Sequence, residues 1–240
     1  MEYLARQDWD SILDSFNYLF FKKLPTTDRM IKTEMGFFRL RSYTTDFQFV
    51  NWTYERKVKE YLEENKNEIG LFIDVGACIG EYCIWLGNQG IQCVAVEPIN
   101  NDAIEDNLIY NSEAEKNIIV VPVAVGKEHK FVAFNKQEGV TSSSHIDPNK
   151  KGNIPCYKLD EIIAPITINK DKTTFVKLDV EGMELDALEG ATELITTTPK
   201  LQIIYEHTSV GDRTIRTFLD KWAEFEYRDL DEVNTLAIKK

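Results

Sequence analysis

Cysteine is scarce in this chain and badly spaced for chemistry. Cys78, Cys83, Cys93 and Cys156 form no C-x-x-C pair. Three of the four fall in stretches that read as buried strand or helix, so neither a zinc site nor a disulfide framework is expected. This is the usage of a reduced, cytoplasmic protein. Long hydrophobic runs are missing too. No stretch approaches the roughly 20 apolar residues that span a bilayer. The opening MEYLARQDWDSILDSFNYLFFKKLP lacks the basic start, apolar centre and small-residue cleavage site of a secretory signal. Nor is there a basic excess: 28 Lys and Arg face 40 Asp and Glu, a net charge of −12. Such a surface repels polyphosphates and anionic lipid heads, so neither nucleic acid nor a membrane is expected as partner. There is no internal repeat and no low-complexity tract.

The residues present divide the chain near position 70. Ahead of it lies an arm, residues 1–70. Trp9, Ile12, Leu13, Phe16, Leu19 and Phe20 recur at spacings of three and four within 8–24, which predicts a helix with one apolar face. Core packing is expected for that face rather than membrane docking, because the run is short and its flanks are mixed in charge. GFFRLRSY (36–43) reads as a strand and 51–65 as a second helix. From residue 71 to 240 the pattern changes. Apolar runs at 71–75, 92–96, 118–125, 174–180 and 201–206 alternate with helical stretches at 79–88, 101–111, 183–195 and 213–223, and a hairpin closes the chain. Strand alternating with helix predicts an α/β fold, a mostly parallel sheet covered on both faces. The irregular stretch 126–173 is long enough to be a functional loop.

The segment LFIDVGACIGEY, 71–82, predicts a strand, a tight turn through Gly76 and Gly80, and a helix. Such turns sit where an open α/β sheet binds its ligands. No Gly-Lys-Ser/Thr follows, so it is not a P-loop. Cys78 stands where a dinucleotide fold needs glycine beside a pyrophosphate, and the next helix opens with a carboxylate where phosphate would lie. A ligand without phosphate fits better. Asp74 at the strand end suits a cationic ligand group, and Glu97, 23 residues later in VAVEP, suits the two hydroxyls of a ribose. S-adenosylmethionine is the cationic, phosphate-free adenosyl ligand that meets both conditions.

FIDVGACIGEY, AVEP, VAVG, KLDVEGMELDALEGA and IIYEH together resemble the FkbM-type S-adenosylmethionine-dependent methyltransferases, over about residues 36–206. The resemblance implies the class I methyltransferase (Rossmann-like) fold with a seven-stranded sheet, and usually O-methylation of a sugar or polyketide-like molecule. It also implies that Ala124 and Val125 line the adenine site. Cys78 replaces the family's usual Asn, which leaves the turn intact but removes a polar contact.

A second constellation follows. FVKLDVEGMELDALEG puts Asp179 at a strand end with Glu181 and Glu184 just behind, and Lys177 on the same strand face as a potential ion partner. Helix capping accounts for Glu181 and Glu184 more easily than for Asp179. IIYEHTS ends the following strand with Glu206 and His207. Methyl transfer to a hydroxyl needs a proton acceptor, and a neutral His beside a carboxylate serves. The alternative is a divalent metal ion on Asp179 and Glu206 that acidifies the hydroxyl. Asp179, Glu206 and His207 are therefore the expected catalytic residues. Ser143 and His145, in a Ser-rich loop over the cleft, and Glu181 are the expected acceptor contacts. A small saccharide is the expected acceptor. A non-catalytic scaffold that keeps the cofactor fold, or a methyltransferase acting on RNA or protein, are the rival readings.

Overall fold

The computed structural model describes residues 2–136, 144–147 and 150–240. At its centre is the expected seven-stranded sheet: β1 (Ile69–Val75), β2 (Gln92–Val96), β3 (Ile118–Val121), β4 (Thr173–Leu178), β5 (Leu201–Glu206), β6 (Phe225–Asp229) and β7 (Asn234–Lys239). The spatial order is β3-β2-β1-β4-β5-β7-β6. The five strands β3, β2, β1, β4 and β5 run parallel, and β7 lies antiparallel between β5 and β6. Every residue of β4 is buried, as the central strand of a sheet covered on both faces must be. Successive residues face opposite sides. Phe72, Phe175 and Ile204 join one apolar cluster, while Ile73, Val176 and Ile203 join another. The chain steps outward from β1 through β2 to β3, then returns to the other side of β1 with β4. That reversal leaves a crevice above the carboxyl ends of β1 and β4.

The residues ahead of β1 build part of the core. Arg29–Lys32 and Phe37–Leu40 form an antiparallel hairpin, and Phe38, Phe47, Val58 and Leu62 are buried in the same cluster as Phe72. Asn107 and Asn111 accept the amides of Arg39 and Phe37, at 2.7 and 3.0 Å, which ties the hairpin to the helix Asn101–Leu108.

Four elements differ from the sequence reading. The apolar run 118–125 is not one strand. Pro122 has no amide to give a sheet, and beyond it Ala124–Val125 pairs with Ile154–Tyr157 in a separate three-stranded sheet. The stretch 183–195 is two helices, Glu184–Glu189 and Thr192–Thr197. The break falls at Gly190, where a Cβ would come 2.3 Å from the carbonyl oxygen of Gly126. The helix expected over 51–65 starts only at Arg56, after Glu55 adopts a left-handed φ of 47°. Of the apolar face expected for the helix Trp9–Phe21 only Ile12 packs against the core, beside Tyr18. Asp8 and Asp14 on the same side pair with Arg29, and Trp9, Leu13, Phe16, Leu19 and Phe20 are exposed. Among the described residues no helix is long and apolar enough to cross a membrane.

Candidate active site

The crevice at the strand ends opens into a cavity of about 820 Å³ when the space open to solvent is included. One side is built by the turn after β1. Gly76, Cys78 and Gly80 all have left-handed backbones, with φ of 91°, 52° and 83°. Glycine adopts this freely, whereas a side chain costs about 1–2 kcal/mol. At Cys78 the geometry aims the backbone amide at Glu97 Oε2, 3.0 Å away. Glu97 Oε1 accepts from the amides of Ile99 and Asn100, at 2.7 and 2.9 Å. One buried carboxylate thereby gathers the loops after β1 and β2 against the cavity. Burial raises its carboxyl above the ordinary range, while the three amides and nearby Arg41 oppose that shift.

Asp74 and Glu81 are both buried and both line the cavity. Asp74 Oδ1 and Glu81 Oε2 have no hydrogen-bond partner among the described residues. Burial pushes Asp74 up to about 7, against the attraction of Lys177. Burial and the charge of Asp74 push Glu81 to about 8. Two unsatisfied carboxylate oxygens in one wall are costly without a partner. A cationic ligand group is the partner that this donor set calls for, and the ammonium and sulfonium of S-adenosylmethionine fit it. Glu97, at the end of the neighbouring strand, retains lone pairs for a ribose.

The adjoining part of the cleft comes from β4, the neighbour of β1, and the turn after it. Lys177 is buried, with Nζ 3.0 Å from Asp179 Oδ2 and 3.6 Å from Glu55 Oε2, so the ion pair that the i, i+2 spacing suggested is present. Although burial disfavours its charge, Asp179, Glu55 and Asp74 raise its pKa well above the ordinary lysine value. Asp179 and Glu181 line the cavity. Glu181 is exposed at the rim; partial desolvation of its carboxyl, with the like charges of Asp179, Glu206 and Glu184, pushes it up to about 7. Glu206 stands within hydrogen-bonding reach of Asp179 and accepts from Thr208 Oγ1. Desolvation first, and then Asp179, raise its carboxyl above the ordinary value. Across the mouth stand Phe49 and Tyr54 from the amino-terminal residues and Phe134 from the small hairpin.

The remaining residues singled out in the sequence sit as follows. Val125 lines the cavity, whereas Ala124 is buried in the three-stranded sheet beside Cys156. Gly80 lies below the cavity, where a Cβ would come 3.0 Å from Ile104 Cγ2. Glu206 and His207 are outside the cavity wall. His207, just past the end of β5, lies near Asp212, whose carboxyl is lowered against its burial chiefly by hydrogen bonds from Arg216 and Tyr205, with His207 contributing least. Backbone pairing sets His145 opposite Asn135 in a two-stranded hairpin, and Ser143 falls outside the described residues. Among the described residues no three His, Cys, Asp or Glu side chains form a group that could hold a metal ion. Phe49, Tyr54, Glu55 and Phe134 had no sequence signal as site residues. Each lies in a segment whose approach to the cleft is set only by tertiary packing.

Solved structures share this architecture. The T. thermophilus 16S rRNA N2 G1207 methyltransferase (RsmC), solved with AdoMet and guanosine, superposes with a TM-score of 0.53 at 11% identity. The match covers 90% of this chain and 51% of that one, so this chain spans about half the length of that protein. The SAM-dependent methyltransferase from Agrobacterium tumefaciens superposes with a TM-score of 0.51 at 9% identity, over 92% of this chain and 72% of the other. These likenesses show the class I methyltransferase fold. Comparison with the curated proteins finds no match. The methyltransferase FkbM domain matches residues 74–229, a span that includes Asp74, Glu81, Glu97, Asp179 and Glu181. With the glycine turn, the two strand-end carboxylates and the fold in agreement with it, this chain belongs to the FkbM family of S-adenosylmethionine-dependent methyltransferases.

Proposed function

We propose that this enzyme methylates a hydroxyl of a small acceptor, a sugar or glycan, in the cytoplasm. The observation that carries the reading is the acidic lining of the cleft, with Asp74, Glu81 and Glu97 around the glycine turn and Asp179 and Glu181, backed by Glu206, at the end of β4. In this reading Gly76, Gly80, Ala124 and Val125 shape the cofactor half with those first three carboxylates. The cofactor supplies an electrophilic methyl group on a positively charged sulfur. The acceptor half then has two tasks: to hold a hydroxyl in line with that methyl and to take its proton. Carboxylates accept hydrogen bonds from the vicinal hydroxyls of a sugar, and Phe49, Tyr54 and Phe134 offer apolar faces for its C–H surface. Partial burial, and then the charges around them, raise the carboxyls of Glu181 and Glu206, which suits them to proton abstraction. Ser143, His145 and His207 are further candidates for contact with the acceptor in this reading. Residues 1–70 serve as an arm that walls the acceptor half of the methyltransferase domain, 71–240.

Transfer to RNA or protein is the weaker reading, because the net charge of −12 opposes a polyanion. A non-catalytic scaffold has no use for this acidic lining. The test is transfer of a labelled methyl group from S-adenosylmethionine to a panel of saccharides, with RNA and a protein extract beside it. Labelled saccharide that resists release by mild base is the expected product. Label in RNA or protein with none in any saccharide would overturn the proposal. Titration calorimetry with S-adenosylhomocysteine, expected to show micromolar binding, separates failure of the acceptor reading from failure to bind the cofactor.

A further inference from the structure

The helix Trp9–Phe21 carries an apolar stripe that the fold leaves uncovered. Trp9, Leu13, Phe16 and Phe20 are each between 50% and 65% exposed. Their spacings of four, three and four are those of the a/d seam by which two helices interlock side chains. The other side of the helix already has its partners. Ser11 is buried, Asp8 and Asp14 hold Arg29, and the Tyr18 ring packs edge-on against Phe47 at 6.1 Å. The stripe therefore points away from the body, widened by exposed Leu19 and Phe21. These six side chains offer roughly 700–800 Å² of apolar surface, close to what each partner contributes to a stable protein interface.

We propose that this face binds a second copy of the chain, with the two helices antiparallel across a two-fold axis. The sequence is matched to that arrangement. With the axis midway between Leu13 and Phe16, Trp9 of each copy meets Phe20 of the other, and Leu13 meets Phe16. The acidic first turn with Asp10 then lies within one turn of Lys22 and Lys23, which follow the helix end. A parallel pair would put like charges together instead. Antiparallel packing also sets each helix dipole against the opposite end of its neighbour. A lipid surface is disfavoured as occupant, because Asp10 borders the stripe and the protein is strongly acidic.

The experiment is light scattering coupled to size exclusion on the full chain, with three variants. The wild type is expected to be a dimer at about 100 μM, a concentration at which even a micromolar complex is nearly complete. Phe16→Glu, at an exposed position, is expected to give a monomer with unchanged S-adenosylhomocysteine affinity. Trp9→Cys with Phe20→Cys is expected to give a disulfide-linked dimer on mild oxidation, and Trp9→Cys alone is not. The native cysteines are all buried and do not interfere. A monomeric wild type, a dimer that survives Phe16→Glu, or a wild type that is monomeric and sediments with phosphatidylcholine vesicles overturns the proposal. Efficient linkage through Trp9→Cys alone overturns the antiparallel arrangement.

Discussion

Glu97 Oε2 lies 3.0 Å from the amide nitrogen of Cys78, so one side chain secures both the glycine turn and its own loop. Its loss should therefore be felt twice. Glu97→Ala is expected to weaken S-adenosylhomocysteine binding by roughly 2–4 kcal/mol, since charge-assisted contacts are removed. It should also lower the melting temperature of the free protein, because three backbone amides lose their acceptor. Calorimetric titration and thermal melts measure the two effects. A variant that binds normally would move the ribose away from Glu97.

Gly76 is a position where shape alone forbids a side chain. A Cβ there would fall 1.9 Å from the carbonyl oxygen of Asp179, and its φ is 91°. Gly90 has a similar φ of 82° but nothing within 4 Å of a Cβ. Gly90→Ala should thus cost only the left-handed backbone penalty, about 1–2 kcal/mol. Gly76→Ala should cost several kcal/mol more, or fail to fold. Chemical denaturation of both variants makes the comparison, and equal losses would show that the two turns are not locked together.

The buried pair Asp74 and Glu81 makes a signed prediction about pH. Both carboxyls are raised in the folded protein, to about 7 and about 8. A raised group stabilises the fold fully below its ordinary value, near 4, and that contribution is lost as pH rises through the folded value. The stability of Glu81→Gln relative to the wild type, both free of cofactor, should therefore increase between pH 5 and pH 8. A cationic ligand reverses the effect by favouring the ionised forms. Binding of S-adenosylmethionine near pH 7 should accordingly release protons, which calorimetry in buffers of different ionisation enthalpy detects. Proton uptake would contradict this.

On the acceptor side, a base that must be deprotonated works better as pH rises. Glu181 is pushed up to about 7, so kcat/KM is expected to rise through neutral pH. Asp179→Asn removes a like charge from its neighbourhood and should shift that rise to lower pH, with turnover about 10²- to 10⁴-fold lower. Glu181→Gln should flatten the profile. His207→Ala should have the smaller effect, because His207 lies outside the cavity wall, near Asp212. Abolition of activity by a chelator with rescue by magnesium would instead assign the proton transfer to a bound metal ion.

Lys177 neutralises three carboxylates from separate segments, Asp74, Asp179 and Glu55. Lys177→Met keeps most of its volume but leaves those charges buried together. A loss of about 3–5 kcal/mol in denaturant melts is expected. A near-neutral outcome would mean that the carboxyls take up protons without cost.

The sheet was legible because its strands are mostly apolar runs of the right length: Gln92–Val96 and Leu201–Glu206 begin and end where the pattern does. The position of Asp74, Gly76 and Glu97 around the cleft was legible for a related reason, since they sit at strand ends that the pattern itself marks. The rest of the cleft lining was less so. Glu55 reads as an ordinary helical residue, yet it precedes the helix and reaches Lys177, 122 positions away in sequence. Periodicity showed that Trp9, Leu13, Phe16 and Phe20 share a face, but it carries no information on what lies against that face. The core was the wrong inference for these four because Arg29 captures Asp8 and Asp14 and turns their side of the helix inward.

The lining of the cleft is assembled from different material. The part around the glycine turn is largely one continuous stretch of main chain, fastened by Glu97 and by the paired amides of Gly76 and Ala77 on the Val96 carbonyl. Tyr54 and Phe134 reach the same cleft from segments far apart in sequence. On the proposed reading, replacements at those two positions leave these main-chain contacts in place, so the range of accepted molecules can be redirected by mutagenesis while the methyl source stays constant; Phe49, buried in the core, has no such freedom.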